Sequence, residues 1–67
     1  MKAGLYTAQQ IMDSLGFSMS GITDYRRVKI GGLGFDYLDK VIRIPEDAQT
    51  IEITLDGEVV ASETVEA

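Results

Sequence analysis

Neither cysteine nor histidine occurs anywhere in this 67-residue sequence. Without cysteine no disulfide framework can form, and without histidine a structural zinc site would have to be assembled from carboxylates alone. The same absences remove the side chains that ordinarily activate a nucleophilic serine, threonine or cysteine. No catalytic set, metal site or cofactor site is therefore expected. Long apolar runs are missing too. Nowhere do about 18 such residues stand together, and the opening Met1-Lys2-Ala3-Gly4-Leu5-Tyr6 has no apolar stretch of signal-peptide length. The expectation is a cytoplasmic protein without a membrane segment, and the lack of cysteine agrees with a reducing compartment.

What is present suffices for a core. Apolar residues make up 45% of the chain, the composition of a globular domain and too rich for a disordered one. A chain this short buries only about 60% of its unfolded surface, which leaves nothing to divide and predicts one domain over residues 1–67. The net charge of −5 is unevenly spread. Residues 1–35 carry four cations (Lys2, Arg26, Arg27, Lys29) against two carboxylates, Asp13 and Asp24. Residues 36–67 carry two, Lys40 and Arg43, against nine carboxylates, so the acidity lies in the C-terminal half.

The clearest local signal begins at Thr7, which forms a capping box with Gln10. Behind it Ala8, Ile11, Met12 and Leu15 make one apolar stripe, and Gly16 stands where a left-handed C-cap belongs, so a helix is predicted over 8–15. From Ser18 onward two readings compete: a short helix over 19–25, or a strand from Tyr25 to Ile30. The favoured expectation is the short helix running into a strand. Gly31-Gly32-Leu33-Gly34 reads as a loop. Val41-Ile42-Arg43-Ile44 reads as a strand ended by Pro45, and Pro45-Glu46-Asp47-Ala48 as a single turn. Ile51, Ile53 and Leu55 alternate with Glu52 and Thr54, a half-buried strand. Asp56-Gly57 then turns the chain into a return strand, with Ile53 expected opposite Val60.

The fold class that follows is α+β, with one or two N-terminal helices packed on a three-stranded antiparallel sheet drawn from 41–44, 50–55 and 58–64. Its expected core is Ala8, Ile11, Met12, Leu15, Val41, Ile51, Ile53 and Leu55.

Four clusters carry possible chemistry. Asp36 with Asp39, and Asp56 with Glu58, are near enough in sequence to share a proton or a cation, but their spacing is not that of a calcium loop and a solvated surface is the expectation. The glycine-rich loop is followed by Phe35-Asp36-Tyr37 and not by a phosphate-binding helix, so it reads as a connection. Tyr25, Arg26, Arg27 and Lys29 form the only basic cluster, able to grip a nucleic-acid backbone or stack on bases; against this stands pairing with the protein's own carboxylates. Finally Glu52, Asp56, Glu58 and Glu63, with Glu46 and Asp47 nearby, are expected to cover one side of a sheet with negative charge, a surface that can copy a phosphate backbone. Ordinary solubilising charge is the competing reading.

Two resemblances bear on these clusters. The run Tyr6-Thr7-Ala8-Gln9-Gln10-Ile11-Met12-Asp13-Ser14-Leu15-Gly16-Phe17-Ser18 resembles the first helix and turn of the winged-helix domain of phage excisionases. Arg43-Ile44-Pro45-Glu46-Asp47-Ala48 resembles the Arg-Ile-Pro-acidic end of that family's wing. The likeness implies a recognition helix over Met19 to Tyr25 and direct DNA binding, although that segment carries Asp24 and no basic residue before Arg26. In size, acidity and α+β make-up the chain also resembles small anti-CRISPR proteins of phages and mobile elements, some of which are DNA mimics. That likeness rests on overall character and carries no residues across. It implies a stoichiometric inhibitor whose partner is a protein with a basic nucleic-acid-binding surface, such as a CRISPR effector complex. This is the leading expectation, and excisionase-like DNA binding through Tyr25, Arg26, Arg27 and Lys29 is the alternative.

Overall fold

The structure, a computed structural model, describes residues 1–66. Helix α1 (Ala8–Leu15) forms where the apolar stripe and caps call for it. The Thr7 hydroxyl accepts from the Gln10 amide at 3.1 Å and the Gln10 side-chain oxygen accepts from the Thr7 amide at 2.9 Å. Two further first-turn amides donate across the fold, Ala8 to the Lys40 carbonyl at 2.9 Å and Gln9 to the Leu38 carbonyl at 3.0 Å. The donors of this helix end are thereby occupied. Gly16 closes the helix at φ 73°, the left-handed conformation that spares glycine the usual Cβ penalty. The stripe buries Ala8, Ile11 and Met12.

The expected helix over 19–25 does not form. Ser18 accepts from the Ser20 amide at 3.1 Å, Gly21 adopts φ 82°, and the Ile22 amide donates to the Met19 carbonyl at 2.8 Å. These local bonds give the backbone a turn in place of a helical ladder. A 3-10 turn over Tyr25–Arg27, capped by Asp24, leads into the next strand.

Five strands follow two pairings: β1 (Gly4–Thr7) with β3 (Val41–Ile44), and β2 (Val28–Ile30) with β4 (Thr50–Leu55) and β5 (Glu58–Thr64). All pairs are antiparallel. The fold is thus α+β, but the expected three-stranded sheet is corrected in its membership: β4 lies between β5 and β2, while 41–44 pairs with the unforeseen β1. An isolated parallel bridge between Lys2 and Glu66 ties the two sheets together.

Strand parity explains the revised core. Within β3, Ile42 and Ile44 point inward and Arg43 outward, so Val41, an expected core residue, is 58% exposed. The buried set is Ala8, Ile11, Met12, Val28, Ile30, Phe35, Ile42, Ile44, Ile51, Ile53 and Val65, with Leu15 and Leu55 half-buried at its rim. The Asp56-Gly57 turn has positive φ at both residues, 54° and 84°, the pattern of a type I′ hairpin. The hairpin register is also corrected. A bulge sets Ile53 opposite Ala61 and Thr54 opposite Val59, leaving Val60 as the extra residue. At the far edge of the sheet, Gly31-Gly32 turns the chain so that Ile30 and Leu33 exchange hydrogen bonds at 2.9 and 3.0 Å.

Replacing Thr7 by alanine removes half of the capping box and is expected to cost about 1 kcal/mol in urea unfolding. Ile53→Ala, at a fully buried position of the central strand, is expected to cost about 2–5 kcal/mol by the same measurement.

Candidate functional site

The chain offers two charged regions and no buried polar chemistry: among the described residues no polar or charged side chain is buried and no cluster of three metal-ligating groups occurs. No helix among them is long and apolar enough to cross a membrane.

The basic cluster is built by the 3-10 turn and β2. Arg26 donates twice to the Asp24 carboxylate, from Nε at 3.0 Å and Nη2 at 3.1 Å, and its own amide donates to Asp24 Oδ1 at 3.0 Å. Arg27 reaches across to the β4–β5 turn. Its Nη2 and Nε donate to Asp56 at 2.7 and 3.1 Å, while the Asp56 amide donates to the Arg27 carbonyl at 2.9 Å. Both arginines are therefore engaged in forked pairs with the protein's own carboxylates. Lys29 lies on the outer face of the sheet, opposite Thr54, and Tyr25 turns to the core side, its ring 5.5 Å from that of Phe35. The arrangement splits the four residues between two environments.

The acidic residues are likewise dispersed. Ile51 pairs with Glu63 and Glu52 with Ser62, so Glu63 leans toward the helix side of the sheet while Glu52 stands on the outer face. Glu63 accepts from the Ser14 hydroxyl at 2.9 Å and lies 3.7 Å from the Met1 amine. Glu58 opens β5, opposite Leu55, and Asp56 is committed to Arg27. Glu46 and Asp47 sit in the turn after Pro45, and Glu46 borders a shallow depression with Lys2, Ala3 and Glu66. The six residues do not share one face of the sheet; they mark its tip, its outer face, its helix side and its opposite end. The exposed carboxylates Asp36 and Asp39, expected from the sequence to be a solvated pair, add to this distribution from the loop before β3.

The ion pairs set the local titration. The Arg27 side chain, hydrogen-bonded to Asp56, holds that carboxyl below its ordinary range, and Arg26 does the same to Asp24.

A comparison with protein-family models finds no match to this chain, and comparisons with curated proteins and with solved structures find none either.

Because the folded pKa of Asp56 is depressed, its pair with Arg27 contributes stability above the unfolded value of about 3.9 and loses it as pH falls through the folded pKa. Asp56→Asn keeps a residue tolerant of positive φ but removes the charge. In urea titrations between about pH 7 and about pH 2, the variant is expected to be less stable at neutral pH, with the difference closing on acidification.

Proposed function

We propose that this chain is a small, non-enzymatic binding protein whose negative surface docks on the basic nucleic-acid channel of a larger protein and blocks entry of the nucleic acid. The observation that carries this reading is how the ion pairs divide the charge. The sole basic cluster is largely cancelled from within, Arg26 by Asp24 and Arg27 by Asp56. Among the described residues, Asp36, Asp39, Glu46, Asp47, Glu52 and Glu58 are exposed and enter no ion pair. The field that a distant partner meets is accordingly negative, which steers the protein toward cationic grooves and away from nucleic acid itself.

The likeness to small acidic anti-CRISPR proteins agrees with this reading, and a CRISPR effector complex is a partner of the required chemistry. Direct DNA binding in the excisionase manner has less support. The segment 19–25 supplies no recognition helix, and a DNA backbone would have to displace two intact arginine–carboxylate forks.

The test is displacement of a labelled duplex from effectors with open basic grooves, CRISPR complexes among them. Displacement is expected to saturate at one protein per site and to weaken at least about tenfold as salt rises toward physiological strength. Neutralising Glu46, Asp47, Glu52 and Glu58 together to amides should abolish it, whereas alanine at Arg26, Arg27 and Lys29 should not. A mobility shift of duplex DNA by the protein alone, lost on changing those three residues, would reverse the assignment.

A further inference from the structure

The sheet edges are unequally protected. At β2 the outer edge is covered by the chain itself, because Leu33 folds back on Ile30. At the end of β5 the Glu66 amide donates to the Met1 carbonyl at 2.8 Å and the Met1 amine donates to the Thr64 carbonyl at 2.9 Å. Between Val59 and Ser62 no such cover occurs among the described residues.

The polarity of this stretch follows from the ladder. The Glu52 carbonyl accepts from the Gly31 amide at 2.8 Å, so it faces β2, and the Glu52–Ser62 pair is a non-hydrogen-bonded one. The amide and carbonyl of Ser62 therefore point away from β4, in phase with the outward Thr64 carbonyl and Glu66 amide. Thr54 and Val59 form a second pair of this kind, since the Asp56 amide two residues on faces β2 through its bond to the Arg27 carbonyl. Val59 and Val60 are 51% and 44% exposed beside these free backbone groups, at a place where most proteins put a charge.

A second copy of the chain is a poor occupant. Antiparallel pairing that seats Ser62 on Ser62 opposes Glu58 to Glu66, and pairing that seats Ser62 on Val59 opposes Glu58 to Glu63. Both registers set like charges against each other. An incoming strand bearing lysine or arginine meets Glu58 favourably, since among the described residues Glu58 enters no ion pair, whereas Glu63 and Glu66 already lie 3.7 and 3.9 Å from the Met1 amine. We propose that the β5 edge from Val59 to Ser62 receives an extended, cationic segment of a partner protein as an added strand. This rests on the preceding reading for the sign of the partner's charge, while the mode of contact rests on the edge itself.

The probe is an eight-residue peptide of alternating lysine and valine, titrated into isotopically labelled protein with amide shifts and hydrogen exchange as readouts. Expected are saturable shifts at Val59–Ser62 and slowed exchange of the Ser62 amide. The same peptide with alternate backbone nitrogens methylated should bind about fivefold or more weakly, as should Ser62→Pro, whose lost N–H is an outward donor on an edge strand. Should that variant not fold, Val60→Lys, at an exposed position, serves in its place. Shifts confined to the carboxylate-bearing turns and indifferent to methylation would overturn the strand-addition mode while leaving the basic-partner reading intact. Equal binding of a glutamate–valine peptide would overturn the assigned charge, and absence of shifts at millimolar peptide would overturn the edge as a site.

Discussion

The apolar stripe of α1 has to serve two sheets at once, and the architecture depends on how it does so. With no cysteine to form a disulfide between the sheets, Ile11 and Met12 are buried together with Ile42 and Ile44 from one ribbon and Val28, Ile30 and Ile53 from the other sheet. A two-stranded ribbon and a three-stranded sheet are each marginal alone, since a single exposed apolar face gains little until something covers it. The helix supplies that cover, and its first turn is in turn anchored by carbonyls at Leu38 and Lys40 just ahead of β3. Helix and ribbon are therefore one cooperative unit: the same residues that cap α1 position the strand it packs on.

Because no polar or charged side chain is buried among the described residues, their charge is expressed on the surface, and the arrangement of ion pairs decides what that surface presents. Arg27 and Asp56 are far apart in sequence yet meet through both side chain and backbone, stapling the start of β2 to the β4–β5 turn. This contact has a structural consequence and an electrostatic one. It fixes the turn end of the hairpin, and it withdraws a cation from the basic cluster. The remaining carboxylates are spread around the molecule, so the negative potential is broad and belongs to no single face.

Much of this was legible where the chemistry is local. The capping box at Thr7 and Gln10, the C-cap at Gly16, the turn after Pro45 and the Asp56-Gly57 hairpin each depend on side chains within a few residues, and the structure has each where the sequence places it. What escaped reading depends on partners remote in sequence. Leu5-Tyr6-Thr7 becomes a strand only because Ile42 and Ile44 need a neighbour, and nothing within those few residues announces it. The inward set of β3 was open to inference: Arg43 must face water, which sends Ile42 and Ile44 inside and Val41 outside. The bulge at Val60 left only the imperfect alternation of Val59-Val60-Ala61 as its trace. For the candidate site, the excess of carboxylates was countable, but their division between two faces follows from the bulged register and could not be counted.

The bridge between Lys2 and Glu66 has a consequence for how such a chain comes into being. It joins positions separated by nearly the full contour, and β1 waits for β3 across the whole helix and both central loops. Loop closure of this span is entropically slow. During synthesis the helix can flicker into existence as soon as its cap emerges, yet its apolar stripe has no surface to meet until β3 is made. The other sheet stays unfinished until β5 is made. The helix and its ribbon can thus assemble first, and the pairing of Lys2 with Glu66 joins the two sheets afterwards.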